Sequence, residues 1–196
     1  MTERVTILFC LVLTLFILCA GCSQPPDTVT ELKRYQLDDM DGVISRTDVA
    51  MDRTVSSDGN GSLRITVNQP TTIRIFETGA VDAHNARLTY QAKVRTEGLE
   101  GRAYLEMWCQ FTGRGEFYSR GLASPVSGTA NWSSQEIPFF LQKNQKPDNV
   151  KLNLVIDGSC LIRGDCRLFA WGAFCITAAA EIGHEYAYCE RGYDNK

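Results

Sequence analysis

The chain has 196 residues, a formal net charge of -3 at pH 7 and 44% hydrophobic residues. Twenty lysines and arginines stand against 23 aspartates and glutamates with no basic stretch, so the composition argues against a nucleic-acid-binding protein. Without an N-terminal targeting segment about 175 residues remain, which is the size of one domain that can bury a core without disulfides or metal.

The N-terminal segment has the composition of an export signal. Arg4 precedes an almost unbroken apolar run from Val5 to Ala20, which is shorter than the roughly 20 residues that cross a bilayer. The run ends in LCAGC, which resembles the lipobox of bacterial lipoproteins, although Cys19 stands where leucine is usual. The resemblance implies cleavage after residue 21, lipidation of Cys22 and anchoring in the bacterial cell envelope, with the outer membrane or cell surface favoured. The alternative is an uncleaved signal anchor in which Cys22 is an ordinary thiol.

The mature chain divides into a tether, a domain and a tail. Residues 22–31 are polar with paired prolines and predict an extended tether. Residues 32–168 consist of short alternating runs separated by turn residues, which predicts an all-β domain, a single antiparallel β-sandwich. Residues 169–196 open with an apolar stretch of uncertain structure. For this tail the sequence leaves open a short helix, a strand over Ala170 to Thr177, or a poorly folded end.

The segment Gly101 to Phe111 predicts the central strand of the domain. Read with a period of two, one side is apolar and the other combines aromatic rings with a carboxylate and an amide. The apolar side is Leu105, Met107, Cys109 and Phe111, and the opposite side is Tyr104, Glu106, Trp108 and Gln110.

The polar side of this strand is the candidate ligand-binding surface. We expect three further residues from neighbouring strands to join it: Gln91, Lys93 and Asn153. A tryptophan platform flanked by amides and charges suits the apolar C–H faces and the hydroxyls of a sugar. Phe117 and Tyr118 follow a glycine-rich turn and are candidates for the rim of a cleft. The alternative is an ordinary solvated sheet face, or one that the tail covers.

The order of these motifs resembles the galactose-binding-like jelly rolls, specifically the CenC-type carbohydrate-binding modules and related bacterial lipoprotein domains. SSDGNGSL at 56–63 matches the turn before an early strand, and SGTANW at 127–132 matches the turn before a strand-opening tryptophan. The pattern of the last strand is degraded over 161–168. The resemblance implies a jelly-roll fold and non-catalytic binding of a polysaccharide or glycan.

The same resemblance implies a structural Ca²⁺ where the first strand, the early turn and the final strand meet. The ligands would be Asp41, Asp58 and Asp165, whose oxygens suit a hard cation. Gly164 stands where such domains carry a second acidic residue, and the alternative is a set of exposed turn carboxylates.

The sequence contains no recognisable catalytic motif. His84 and His184 are not close to a serine or cysteine in a nucleophile motif, and no phosphate-binding or zinc-protease motif occurs. Glu106 with Glu116 or Glu136 would be the pair for a glycosidase, but one jelly roll leaves little room for a separate cleft. We therefore expect a binding protein and not an enzyme. The alternative function is an envelope β-sandwich that contacts protein and has no sugar site.

Five cysteines remain after the signal and the lipidation site are set aside. Cys109 alternates with core residues and is interpreted as a small buried hydrophobe. For the other four, one disulfide or a set of free thiols both remain open. They are Cys160, Cys166, Cys175 and Cys189.

Overall fold

The protein is described by a computed structural model over residues 29–159, 166–180 and 190–191. These residues form ten β-strands and no helix. The strands are β1 (Val29–Tyr35), β2 (Val49–Asp52), β3 (Ser62–Val67), β4 (Thr71–Glu77), β5 (Ala86–Phe111), β6 (Gly115–Arg120), β7 (Val126–Leu141), β8 (Asn149–Ser159), β9 (Cys166–Ala180) and β10 (Glu190–Arg191).

Every strand pairing in these residues is antiparallel, so the prediction of an all-β antiparallel domain is confirmed. The described residues contain no helix of sufficient length and hydropathy to span a membrane. The predicted lipidation site Cys22 and the predicted calcium ligand Asp165 lie outside the described residues.

Strand β5 is 26 residues long and belongs to both layers of the fold. Its first half, residues 86–97, pairs with β7 and β9, and β9 continues this layer to β1, β3 and β2. Its second half, residues 100–111, pairs with β8 and β6, and these lead to β4 and β10. The alternating runs at 88–95 and 101–111, with TEGLE between them, predict two strands separated by a turn. Instead β5 continues through register shifts between residues 94 and 102, where Gly98 and Gly101 have positive φ angles of 66° and 115°.

The core lies between the two layers and contains the side chains that the period of two predicted to face inward. The apolar side of the second half of β5 is buried, and so are its counterparts on the first half of β5 and on β8. Burying such side chains supplies the main stabilisation of the fold, at roughly 25 cal/mol per Å² of apolar surface. Cys109 is fully buried, which confirms its interpretation as a core residue. Cys175 is also buried and free, and burial raises the pKa of its thiol.

The tail predicted from residue 169 contributes a central strand over its described part. The boundary drawn at residue 168 falls inside β9, which pairs with β5 on one side and with β1 and β3 on the other. Of the three structures that the sequence left open for the tail, a strand is present over Cys166–Ala180. Strand β1 begins at Val29, so it also includes the end of the predicted tether.

Strand β7 is an edge strand, because among the described residues it forms a β-ladder only with β5. Pro138 lies within it, and proline is tolerated on an edge strand because it lacks an N–H to donate. Its carbonyl accepts a hydrogen bond from Ser119 Oγ at 2.6 Å, which connects β7 to β6. Within the alternating run QEIPFFL, Pro138 predicts an edge strand or a bulge, and the structure confirms the edge.

Two glycines allow β5 and β8 to approach each other closely at one end of the layer that contains the second half of β5. Gly101 and Gly158 are directly paired. A Cβ atom at Gly158 would lie 2.1 Å from the carbonyl oxygen of Glu100, and one at Gly101 would lie 2.4 Å from the carbonyl oxygen of Asp157. Both contacts are with backbone atoms, so no rotation of a side chain can relieve them.

Candidate functional site

The outward side of β4, β8, the second half of β5 and β6 carries five of the seven predicted binding residues, all except Gln91 and Lys93. We call it the aromatic face. Trp108 lies near its centre, directly paired with Lys151 of β8 on one side and with Tyr118 of β6 on the other. The alternation of β5 places this side away from the core, since Met107 and Cys109 on either side of Trp108 are fully buried. The predicted orientation of Trp108 is therefore confirmed.

Trp108 and Tyr118 form an aromatic pair. Their ring centroids are 4.9 Å apart and their planes are inclined at 44°. The Arg120 guanidinium lies 4.4 Å from the centroid of the Tyr118 ring, within the range of a cation–π contact. Of the two predicted rim residues, Tyr118 joins the face. Phe117 does not, because it packs edge-on to Phe111 at 5.9 Å.

Glu106 is buried beneath the face, with 3% of its surface exposed. One carboxylate oxygen accepts a hydrogen bond from Arg120 Nε at 2.6 Å, and the other accepts one from Asn153 Nδ2 at 2.9 Å. Burial alone would lower the pKa of Arg120, but the hydrogen bond and charge of Glu106 outweigh it and raise that pKa. Glu106 thus fixes Arg120 against Tyr118. It is a positioning group in this structure, and its predicted role in ligand binding stays a prediction.

Two buried polar atoms beside Glu106 have no hydrogen-bond partner in the described residues. They are Asn153 Oδ1, an acceptor, and Arg74 Nε, a donor. The two residues are directly paired across β8 and β4. Because Glu106 accepts from the Asn153 nitrogen, the amide oxygen must point elsewhere. A hydroxyl group or a water can accept from one such atom and donate to the other, so this pair has the chemistry of a hydroxyl-binding position.

Tyr104 and Gln110 flank the aromatic pair along β5. Tyr104 is buried, and the Arg102 guanidinium lies 6.0 Å from the centroid of its ring. Burial raises the pKa of the Tyr104 hydroxyl, so the phenol stays protonated near neutral pH. Gln110 is exposed and lies directly opposite Glu116 of β6. Of the two, only Gln110 is open to solvent at the edge of the face.

Gln91 and Lys93 do not lie on the aromatic face, and their predicted place there is wrong. Both are in the first half of β5, which belongs to the other layer. Gln91 Nε2 donates to Glu136 Oε2 of β7 at 2.9 Å, and Lys93 is paired with Ser134. Strand β5 crosses from one layer to the other between these residues and Trp108. Outward residues of its two halves therefore lie on opposite sides of the sandwich.

The described part of the predicted calcium site shows no assembled ligand set. Asp58 Oδ1 accepts hydrogen bonds within its own turn, from Asn60 N at 2.9 Å and from Ser56 Oγ at 3.3 Å. The Asp41 amide donates to Asp39 Oδ1 at 2.7 Å. No group of three metal-ligating side chains occurs within residues 29–159, 166–180 and 190–191. With Asp165 outside these ranges, the calcium site stays a prediction.

The three carboxylates considered for a glycosidase are each held by another side chain. Glu106 is bound to Arg120, Glu116 accepts from Lys151 Nζ at 2.6 Å, and Glu136 accepts from Gln91 on the other layer. A glycosidase requires one protonated acid and one free nucleophile or base on either side of the scissile bond. Glu136 lies on the other layer of the sandwich from Glu106, so these two cannot flank one bond.

Comparison with solved structures identifies the fold class. The CBM22-1 xylan-binding domain of Xyn10C from Paenibacillus barcinonensis matches with a TM-score of 0.51 and 12% identity over 81% of this chain and 100% of that domain. The CBM22-1–GH10 modules of Xyn10B from Clostridium thermocellum, complexed with xylohexaose, match with the same score and identity over 81% of this chain and 30% of theirs. A family 16 carbohydrate-binding module matches at 0.49 and 11% identity, covering 69% of this chain and 91% of the module.

The domain therefore has the jelly-roll fold of carbohydrate-binding modules, as the sequence motifs predicted. No protein-family model matches the chain, and no curated protein matches it. At these identities the likeness defines the fold alone, so the function has to be argued from the aromatic face.

Proposed function

We propose that this protein binds a polysaccharide or glycan chain on the aromatic face without catalysing its breakdown. The observation that carries the proposal is the Trp108–Tyr118 pair, two rings in contact on the outward side of a sheet whose neighbouring positions are polar. Aromatic rings stack on the C–H faces of sugars, and polar neighbours hydrogen-bond to their hydroxyls. The CBM22-1 structures, one titled a xylan-binding domain and one complexed with xylohexaose, support the proposal through their shared fold.

The binding is expected to be weak. One aromatic contact contributes about 0.5–1.5 kcal/mol and each hydrogen bond nets about 1 kcal/mol. After the cost of association is subtracted, a dissociation constant from about millimolar to micromolar remains. Tighter attachment would require several copies of the protein, displayed on one surface, to bind the same polysaccharide chain at once.

Replacing Trp108 with alanine is expected to weaken polysaccharide binding about two- to tenfold, because the larger ring of the platform is lost. The measurement is affinity gel electrophoresis of the domain starting near residue 28, with retardation compared across polysaccharides. Trp132→Ala is the matched control, since Trp132 lies on β7 and outside the aromatic face. If the unmodified domain is retarded by no polysaccharide, the sugar site is refuted and a protein-contacting envelope sandwich becomes the better account.

The second part of the proposal is that the protein is a lipoprotein of the bacterial envelope, anchored through Cys22. Its support is the LCAGC motif after an apolar segment. Two or more acyl chains give stable membrane attachment, whereas one gives only marginal binding. In a bacterial host Cys22→Ala is expected to release the protein from the membrane fraction, while Cys109→Ala is not. Full membrane retention of Cys22→Ala would favour an uncleaved segment.

A further inference from the structure

Four cationic side chains lie on the aromatic face, and each forms an ion pair with a carboxylate of the same face. The nitrogen–oxygen distances lie between 2.6 and 3.0 Å. The pairs are Arg74–Glu77, Arg102–Asp157, Arg120–Glu106 and Lys151–Glu116. Glu100, the first residue of the second half of β5, is a further carboxylate on this strand. Within β4, β6, β8 and residues 100–111 of β5, every lysine and arginine therefore has a carboxylate partner.

The two cations nearest to the aromatic pair, Lys151 and Arg120, are each held by a carboxylate and by contact with the rings or their strand neighbours. Lys151 is directly paired with Trp108, and only 18% of its side chain is exposed. Its ammonium is held by Glu116. Arg120 covers Tyr118 while it donates to the buried Glu106. A ligand stacked on these rings would therefore meet neutralised charge.

Recognition of an anionic sugar normally uses an arginine or lysine that is free to form charge-assisted hydrogen bonds. A uronate carboxylate beside Arg120 or Lys151 would also lie close to Glu106 or Glu116, and the like charges would repel each other. Displacing Glu106 to avoid this repulsion would leave it buried without its partner, which is strongly unfavourable. Sugar hydroxyls carry no such penalty, because they are uncharged and can donate to the carboxylates.

We infer that the ligand of the aromatic face is an uncharged glycan, and that the four ion pairs exclude acidic polysaccharides. This inference rests on the proposed function. It names a class of ligand, which the fold does not specify. Because the attraction involves no net charge, binding is also expected to be nearly independent of salt concentration.

The test is affinity gel electrophoresis with two sets of polysaccharides at low and at high salt. The uncharged set contains linear xylan, galactan, mannan and β-glucan, and the acidic set contains polygalacturonate and alginate. The unmodified domain is expected to be retarded by at least one uncharged polymer equally at both salt concentrations, and by neither acidic polymer.

Glu116→Gln provides the gain-of-function arm, because it releases the Lys151 ammonium beside Trp108. We expect this variant to be retarded by the acidic polymers at low salt, where the unmodified domain is not, and we expect high salt to abolish this retardation. Glu136→Gln is the matched control. It makes the same change in net charge on the other layer, where the carboxylate accepts from neutral Gln91.

The possible results separate this inference from the proposed function. Salt-sensitive retardation of the unmodified domain by an acidic polymer would overturn the uncharged-glycan inference and leave sugar binding intact. Equal retardation of Glu116→Gln and Glu136→Gln by acidic polymers would also overturn it, because Glu116 would then not neutralise the face. Lack of retardation by every polymer, with no difference for Trp108→Ala, would refute the proposed function itself.

Discussion

Gly158→Ala is expected to lower the free energy of unfolding by about 3 kcal/mol or more. Its Cβ would lie 2.1 Å from the Glu100 carbonyl oxygen and 2.8 Å from the Gly101 Cα. These are backbone atoms of the strand that joins both layers, so β5 and β8 must move apart. The separation would break ladder hydrogen bonds at one end of the aromatic face. The measurement is urea unfolding followed by tryptophan fluorescence, with the midpoint and slope compared.

The control for this prediction is Gly113→Ala in the turn between β5 and β6. Unlike Gly158, Gly113 has no atom within 4 Å of a Cβ position, but its φ of 73° is left-handed, so alanine there costs about 1 kcal/mol. The comparison separates backbone overlap from backbone strain. A loss at Gly158 no larger than that at Gly113 would contradict the close approach of β5 and β8.

Glu106→Gln is expected to lower the free energy of unfolding by about 2 kcal/mol and also to weaken polysaccharide binding. The amide has one acceptor where the carboxylate serves two donors, so either Arg120 or Asn153 faces an N–H group. The loss stays below that of a fully buried pair because 38% of the Arg120 side chain is exposed and can be hydrated. Binding weakens because Arg120 no longer holds Tyr118 beside Trp108.

Stability and binding are measured on the same Glu106→Gln protein, by urea unfolding and by affinity electrophoresis at a temperature well below the transition. Glu136→Gln is the control, and an exposed hydrogen bond of that kind is expected to change stability by less than about 0.5 kcal/mol. Unchanged polysaccharide binding in folded Glu106→Gln would show that Glu106 does not position the aromatic pair.

Alternation along β5 was sufficient to predict which side chains enter the core. A strand with one buried side has its register fixed, since a shift of one residue would exchange the two sides. The same rule could have found Tyr118. Residues 112–114 form a short turn, and a hairpin through it pairs Phe111 with Gly115 and therefore Trp108 with Tyr118. Tyr118 is predicted as a rim residue, and pairing across the glycine-rich turn is the signal that would have placed it beside Trp108.

Neighbours across the sheet were harder to predict, because alternation does not specify which strands share a layer. Gln91 and Trp108 are both outward residues of β5, yet the crossing between them places them on opposite sides of the fold. The burial of Glu106 was also unpredictable from a local pattern. A carboxylate is expected at the surface unless its partners are known, and Arg120 and Asn153 come from two other strands. The central position of β9 depended in the same way on distant partners.

The position of β9 also determines when the domain can fold. Val29, at the start of β1, pairs with Ala179 near the end of β9, and β3 pairs with the beginning of the same strand. Strands β1 and β3 therefore cannot complete their pairing until β9 has been synthesised. Such long-range pairings fold slowly because a large loop must close before they form. A chain with this order of strands can complete the sheet around β9 only after most of the domain has been synthesised.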